Sequence, residues 1–261
     1  MSRCLFPAFL LLAGASLPVA AIEGHAYRGL ATLPGGGAQV YLEDHVVRLE
    51  GGRLLERRVL YRCPDGTAFA RKTVRYADPA WAPSFELEDV RFGYREGFAR
   101  GKLTGSVWYR RRADQAEERD AVPLGESLVV DAGFDEFVRA KWDALASGQA
   151  LPLRFLIPSR LAVWGFRLRQ TGRSERYGEA ARDFRLAVSG LLGWFADPIE
   201  VSYRERDRRL MRFSGMSNLR RSPEENFVVE IVFPPELEHS LTQAEWDAAL
   251  ATPLSPCEPG G

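Results

Sequence analysis

Lysine is nearly absent from this sequence. Lys72, Lys102 and Lys141 are the only three in 261 residues, so 32 of the 35 basic side chains are arginine. The skew reads first as a coding bias of the source. The 35 basic residues are cancelled by 35 acidic ones, and that balance excludes a dedicated nucleic-acid binder, which needs a net positive field. Histidine is equally scarce: His25, His45 and His239 stand alone, with no i,i+4 pair to hold a metal. Each therefore reads as a polar surface or half-buried residue. The sequence has no P-loop, no G-x-G-x-x-G, no G-x-S-x-G elbow and no H-E-x-x-H. Gly35-Gly36-Gly37 precedes a strand-like run, whereas a phosphate cradle needs a helix start after it. These absences leave no catalytic residue, metal or cofactor to name.

Long hydrophobic runs are missing after residue 21. Before it, Arg3 is followed by an apolar stretch, Leu5 to Ala15, and by Val19-Ala20-Ala21. A basic start, an apolar core and a small-residue cleavage site are the layout of a secretory signal peptide. The stretch is too short, and too broken by Pro7 and Pro18, to span a bilayer as a helix. Residues 1–21 are thus expected to be removed, leaving 22–261 as one exported β-rich domain, periplasmic or secreted, with no transmembrane segment. Without Arg3 the mature chain carries 34 basic and 35 acidic residues, a net charge of −1.

Cysteine is reduced to Cys63 and Cys257 once Cys4 leaves with the leader. An oxidising compartment allows the two to pair, which would tie the tail to an early hairpin. Their spacing alone does not settle the pairing, and it fits no zinc pattern.

What the sequence does contain is alternation. From Ile22 to Arg112 the chain reads as an antiparallel meander. Glu50-Gly51-Gly52-Arg53 and Pro64-Asp65-Gly66 supply turn chemistry, because glycine accepts positive φ and proline presets a corner. Phe69, Lys72, Val74 and Tyr76 keep one face apolar only with a bulge near Arg71. SFELEDVRFGY reads as one strand with a slip at Glu88-Asp89, and LTGSVWYRRR as the next, linked through Gly97 and Gly101. Ala113 to Asp120 reads as a charged loop. From Asp131 the spacing of Phe134, Phe137, Val138, Lys141, Trp142 and Leu145 predicts a helix that stops at Gly148. Strands return from Leu151, with Pro158 between two of them and Ala162, Trp164, Phe166 and Leu168 on the stronger apolar face. A strand to Val188 and a helical turn to Phe195 follow. Phe227 to Phe233 is the last long strand. Thr242 and Glu245 have capping-box spacing, with Leu241 and Trp246 placed as a hydrophobic staple, at the start of a second helix.

Between Ile199 and Arg221 the chain is rich in arginine, yet Ile199, Val201, Tyr203, Met211 and Phe213 alternate with the charges. This predicts a hairpin with a wet arginine face able to pair with Glu200 or Glu205. Ser217-Asn218, where the hairpin should end, is left unexplained by alternation.

Three sets of residues could carry function. The aromatics Trp108, Trp142, Trp164 and Phe166 could pack a core or line a pocket for an apolar ligand. Asp89, Arg91, Ser217 and Asn218 form a possible polar site. Glu86, Glu88 and Asp89, with Arg91 orienting, could supply a general acid and base, although strand alternation accounts for their positions unaided.

PSFELEDVRFGYREG and PIEVSYRERDRRLMRFSGMSNL are similar to the central and closing segments of exported proteobacterial proteins of unknown function. The overall plan more distantly resembles the periplasmic lipoprotein-carrier and sorting class, whose incomplete barrel over helices binds acyl chains. The resemblance implies an α+β fold dominated by a curved antiparallel sheet, incomplete-barrel-like, with two packed helices. It implies a non-enzymatic envelope protein that binds an apolar or amphipathic, lipid-like ligand. The alternatives are a module that docks on an envelope protein through exposed strands, and a carboxylate-dependent hydrolase.

Overall fold

The structure, a computed structural model, describes residues 22–190 and 197–260. The predicted leader and the predicted turn to Phe195, with Trp194, lie outside the described residues. The N-terminal meander comprises β1 (Gly24–Thr32), β2 (Gln39–Glu50), β3 (Arg53–Arg62), β4 (Ala68–Arg75), β5 (Ser84–Asp89), β6 (Tyr94–Arg100), β7 (Thr104–Arg110) and β8 (Glu118–Pro123). A short β9 (Leu128–Val129) leads to α1 (Gly133–Ala140) and α2 (Trp142–Ala146). The second meander comprises β10 (Leu151–Ile157), β11 (Ala162–Arg176), β12 (Glu179–Val188), β13 (Ile199–Arg204), β14 (Leu210–Arg220) and β15 (Asn226–Val232). The two-residue β16 (His239–Ser240) and α3 (Gln243–Ala251) close the chain.

Both meanders join through β1 and β15 into one sheet, in the order β8-β7-β6-β5-β4-β3-β2-β1-β15-β14-β13-β12-β11-β10-β9, with β16 added beside β1. All pairs are antiparallel except β9 with β10. Among the described residues the sheet does not close by hydrogen bonds. Instead it rolls until the turn Pro158–Arg160 packs on β6 and β7. There Leu128, Val130 and Leu156 enter the same core as Val107 and Tyr109. Side chains rather than backbone seal the roll, so the fold is the expected curved, incomplete barrel.

The hairpins follow local chemistry. Gly51 and Gly52 both have positive φ, 57° and 76°, as the two-residue turn between β2 and β3 requires. The arginine-rich hairpin forms as β13–β14, with Tyr203 and Met211 buried. The capping box at Thr242–Glu245 is present, and Leu241 and Trp246 are both buried. α3 packs outside the roll, its Trp246 beneath the Arg58 guanidinium at 3.5 Å.

Several expectations are corrected. The single strand SFELEDVRFGY is two strands: the phase change at Glu88-Asp89 is a hairpin whose turn ends on Gly93, φ 65°. Gly97 is no linker. It lies within β6, where the Trp108 ring covers it so closely that a Cβ would sit 2.3 Å from the indole. The bulge in β4 leaves out Phe69 rather than falling at Arg71, and Lys72 points inward. Glu118 to Asp120 belong to a strand, the charged free edge β8. The first helix breaks at Lys141 into α1 and α2, and Gly148, φ 91°, ends it.

Candidate functional site

The roll's interior is not a uniform apolar filling. The inward phase of β2 presents Glu43 and His45, that of β3 Arg57, that of β4 Lys72, and those of β5 and β6 Asp89 and Glu96. The register makes a ladder of them. His45, Val59, Lys72, Leu87 and Glu96 stand side by side across five strands. Buried charges survive only when paired; Glu43 and His45 pair with each other and Asp89 with Arg91, while the partners of Arg57 and Lys72 come from the segment that plugs the lumen.

Asp131 is the hub of that plug. It adopts positive φ, 42°, a conformation that costs a non-glycine residue energy and marks an over-determined position. Val130 N–H donates to the Trp81 carbonyl at 2.9 Å, and Gly133 lies so close to that carbonyl that any side chain would collide. Pressed there, the Asp131 carboxylate accepts from Lys72 Nζ and from Asn218 Nδ2, each at 2.8 Å on Oδ1. It thereby ties β4 to β14 across the lumen, while Oδ2 has no partner among the described residues.

The position of Ser217-Asn218 now has a physical account. β14 does not end there. Met216 faces Val228 and Arg220 faces Asn226, so β14 carries two residues in excess of β15. Ser217 Oγ accepts the Leu219 N–H and the Tyr41 hydroxyl, both at 3.1 Å, and Asn226 Nδ2 donates to the Ser217 carbonyl at 2.5 Å. This bulge turns both Asn218 and Arg220 inward. Arg220 donates to Tyr94 Oη at 3.2 Å, and Tyr94 donates in turn to Glu96 at 2.5 Å. Asp89 takes a bidentate bond from Arg91, which also donates to the Arg220 carbonyl at 2.7 Å. The structure therefore brings Asp89, Arg91, Ser217 and Asn218 into one buried network.

Burial pushes the Glu96 carboxyl up to about 7, aided by Asp131 and opposed by the Tyr94 hydroxyl, Lys72 and Arg220. Its affinity for a proton is thus higher folded than unfolded, and ionising it costs stability as pH rises from about 4.5 to about 7. The full cost, on the order of 3 kcal/mol by one pKa unit per 1.36 kcal/mol, is present above that window. Glu96→Gln keeps an acceptor for Tyr94 and removes the charge. The stability gap between variant and wild type should grow from pH 4 to pH 8 in urea titrations; a gap independent of pH would refute the assignment.

A second region opens to solvent. A cavity of about 370 Å³ lies between β1, the β2–β3 turn, α1 and the β13–β14 hairpin. Val47, Leu49, Leu54, Leu210, Met211 and Phe233 form its apolar wall, and ion pairs with His25 and Tyr27 form most of the rest. Arg57 donates to Asp135 at 3.0 Å, and Tyr203 Oη donates to the same carboxylate at 2.7 Å. Arg139 pairs with Glu136 on α1. Arg204 holds Asp207 at 2.7 Å and Glu238 at 3.1 Å, and Arg209 also meets Glu238. Four guanidinium groups thus face four carboxylates. His25, at the rim, is pushed down to about 3 by burial and then by Arg209, Arg57 and Arg139, so it is neutral at any physiological pH.

The aromatic set does not line this cavity. Trp108 covers Gly97, with Arg119 5.3 Å from its ring centre. Trp142 packs on Phe184 and Phe166 on Phe155 in the core beneath α1 and α2. Trp164 is 38% exposed at the sheet's end. Glu86 and Glu88 lie on the outward phase of β5, Glu86 paired with Arg95, whereas Asp89 is buried and locked by Arg91. Asp89 therefore stands on the opposite face of β5 from Glu86 and Glu88, and the three carboxylates do not converge. Residues that sequence reasoning missed are Lys72, Glu96, Asp131 and Asp135. The one signal was Lys72 itself, a rare lysine in an apolar phase.

No family model and no curated protein matches the chain. Seven chains of solved structures do. One is a crystal structure described as a beta-barrel-like protein of domain of unknown function DUF1849 from Brucella abortus. It is 7% identical with a TM-score of 0.50, over 82% of this chain and 96% of that one. At that identity the likeness concerns the fold alone. It supports a barrel-like architecture of unknown function and not the resemblance to lipoprotein carriers. No helix among the described residues is long and apolar enough to cross a membrane.

Proposed function

We propose that this chain is an exported, non-enzymatic binding protein that takes the polar end of a single-chain amphipathic molecule into the cavity beside Arg57 and Arg209. The observation that carries the reading is the cavity's two-sided lining, an apolar wall from Val47 to Phe233 facing a charge-balanced set of ion pairs. About 300–1,000 Å³ is the usual range for small-ligand pockets, so about 370 Å³ suits one headgroup with a short length of chain rather than a whole two-chain lipid. Equal numbers of guanidinium and carboxylate groups favour a zwitterionic or neutral polar end over a plain anion. Every carboxylate at the cavity is engaged by arginine, which argues against a free general base. Export rests on the signal-peptide layout of residues 1–21, and the Cys63–Cys257 disulfide suits an oxidising compartment.

Dodecylphosphocholine below its micelle concentration is a suitable probe. Calorimetric titration should detect saturable binding, and Leu54→Trp, which fills the apolar wall, should weaken it at least tenfold with unchanged thermal stability. Equal affinity in the variant, or no binding by the wild type, would sink the reading.

A further inference from the structure

We infer that the face of β10–β12 turned away from the helices is a docking surface for an anionic phospholipid membrane. Arg154, Arg167, Arg169 and Arg185 share that face. Arg154 stands opposite Gly165, and Arg167 lies two residues along the same strand. Arg169 stands directly opposite Arg185. Like charges in that relation repel. None of the four has a carboxylate within ion-pair distance among the described residues, and Glu200, across from Arg185, turns to Arg212 at 3.9 Å. Most arginines elsewhere on the sheet's outside are bonded to a carboxylate or stand directly opposite one, as Arg48 does Glu56, Arg53 Glu50 and Arg71 Glu88, while Arg110 meets only the Gly93 carbonyl. Asp44 serves Arg28 at 2.6 Å and Arg62 at 2.7 Å, Glu56 serves Arg58 at 2.6 Å, and Glu230 serves Arg212 at 2.5 Å. What is local is the cluster of four and its opposed pair: the other opposed arginines, Arg95 with Arg110 and Arg173 with Arg182, have Glu86 or Glu205 on at least one member.

A repulsive cross-strand pair without an internal partner breaks a rule that the rest of the sheet obeys, and such breaks concentrate where function needs them. The complement it fits is an array of negative groups. A sheet face holds its guanidinium groups at strand spacing, about 5 Å sideways and about 7 Å along, with Arg154, Arg167 and Arg169 well exposed. That geometry engages several phosphates of a surface at once, whereas one free phosphate ion could reach only one or two of these side chains.

The experiment is co-sedimentation of the mature protein with vesicles of phosphatidylcholine containing roughly one-third phosphatidylglycerol, against phosphatidylcholine alone, at about 0.1 M and about 0.5 M salt. Binding is expected only to the anionic vesicles and only at the lower salt. Arg167→Gln/Arg169→Gln should weaken it about 25-fold, at about fivefold per arginine. Arg28→Gln/Arg62→Gln, on the compensated part of the sheet, should leave it unchanged, and thermal unfolding of each variant shows that it folds. Equal binding to neutral vesicles, or equal loss in both double variants, overturns the proposal. So does displacement by millimolar inorganic phosphate, which would mark an ion site, or binding of polyglutamate without vesicle binding, which would mark an acidic protein partner.

Discussion

Reduction of the Cys63–Cys257 disulfide should lower the unfolding free energy by about 5 kcal/mol in the chain-entropy model. The bond spans 194 residues with its Cα atoms 6.4 Å apart, so the loop it removes from the unfolded ensemble is nearly the whole described chain. Cys63 is buried at the β3–β4 turn, where its N–H donates to the Thr67 carbonyl at 2.9 Å. The tail it fixes has few other ties: Ser255 N–H to the Ala68 carbonyl at 2.8 Å, Gly260 N–H to the Val40 carbonyl at 2.9 Å, and Arg71 Nε to the Ala249 carbonyl at 2.9 Å. Urea denaturation with and without reductant reads the global effect, with Cys257→Ser as the matching variant. Hydrogen exchange gives the local one, since amides of α3 should lose protection before those of β2 and β3. A change below about 1 kcal/mol would mean that the tail and the unfolded chain are held by something else.

The parts of the fold legible in the sequence are those whose cause is local. Gly51-Gly52 and Pro64-Asp65-Gly66 make their turns with their own backbone preferences, and Thr242 caps α3 with a glutamate three residues away. Alternation from Ile199 to Phe213 fixes the phase of β13–β14 because each apolar residue there faces the core. Phase changes are harder. At Glu88-Asp89 the sequence shows only that alternation slips, and a bulge or a turn produces the same slip. The turn wins because Gly93 accepts positive φ. The interior network was illegible for a different reason. Lys72, Glu96 and Asp131 look like surface residues by type, and their burial makes sense only once strands distant in sequence close around the plug. Lys72 breaks the apolar phase of its strand, and a bulge accounts for such a break as readily as a polar interior does. Tryptophan misdirected for a related reason: Trp108 turns outward to cover Gly97, so a large aromatic in a strand did not mark the core.

Asp135→Ala should destabilise the protein by about 3–5 kcal/mol, the cost of leaving a buried charge without its partner. Asp135 reaches from α1 to Arg57 on β3 and Tyr203 on β13, so one carboxylate pins the plug to two walls and shapes the cavity's floor. Arg57 is 6% exposed and its Nε has no partner, which leaves it nowhere to turn once Asp135 is gone. Burial pushes the Asp135 carboxyl up, but Arg57, then Arg139 and the Tyr203 hydroxyl pull it further down, and the net position is below the usual range. A depressed carboxyl contributes stability that is present above its unfolded value near 3.8 and is lost as pH falls through its folded value. The variant's deficit should accordingly be full at pH 6 and shrink in strong acid. Pairing it with Arg57→Met separates charge from shape. If the unpaired guanidinium is the cost, the double variant recovers most of the loss and the two effects couple strongly in a double-mutant cycle. Additive losses in urea denaturation, or a single-variant loss below about 1 kcal/mol, would show instead that α1 is held by the apolar contacts of Phe137 and Val138.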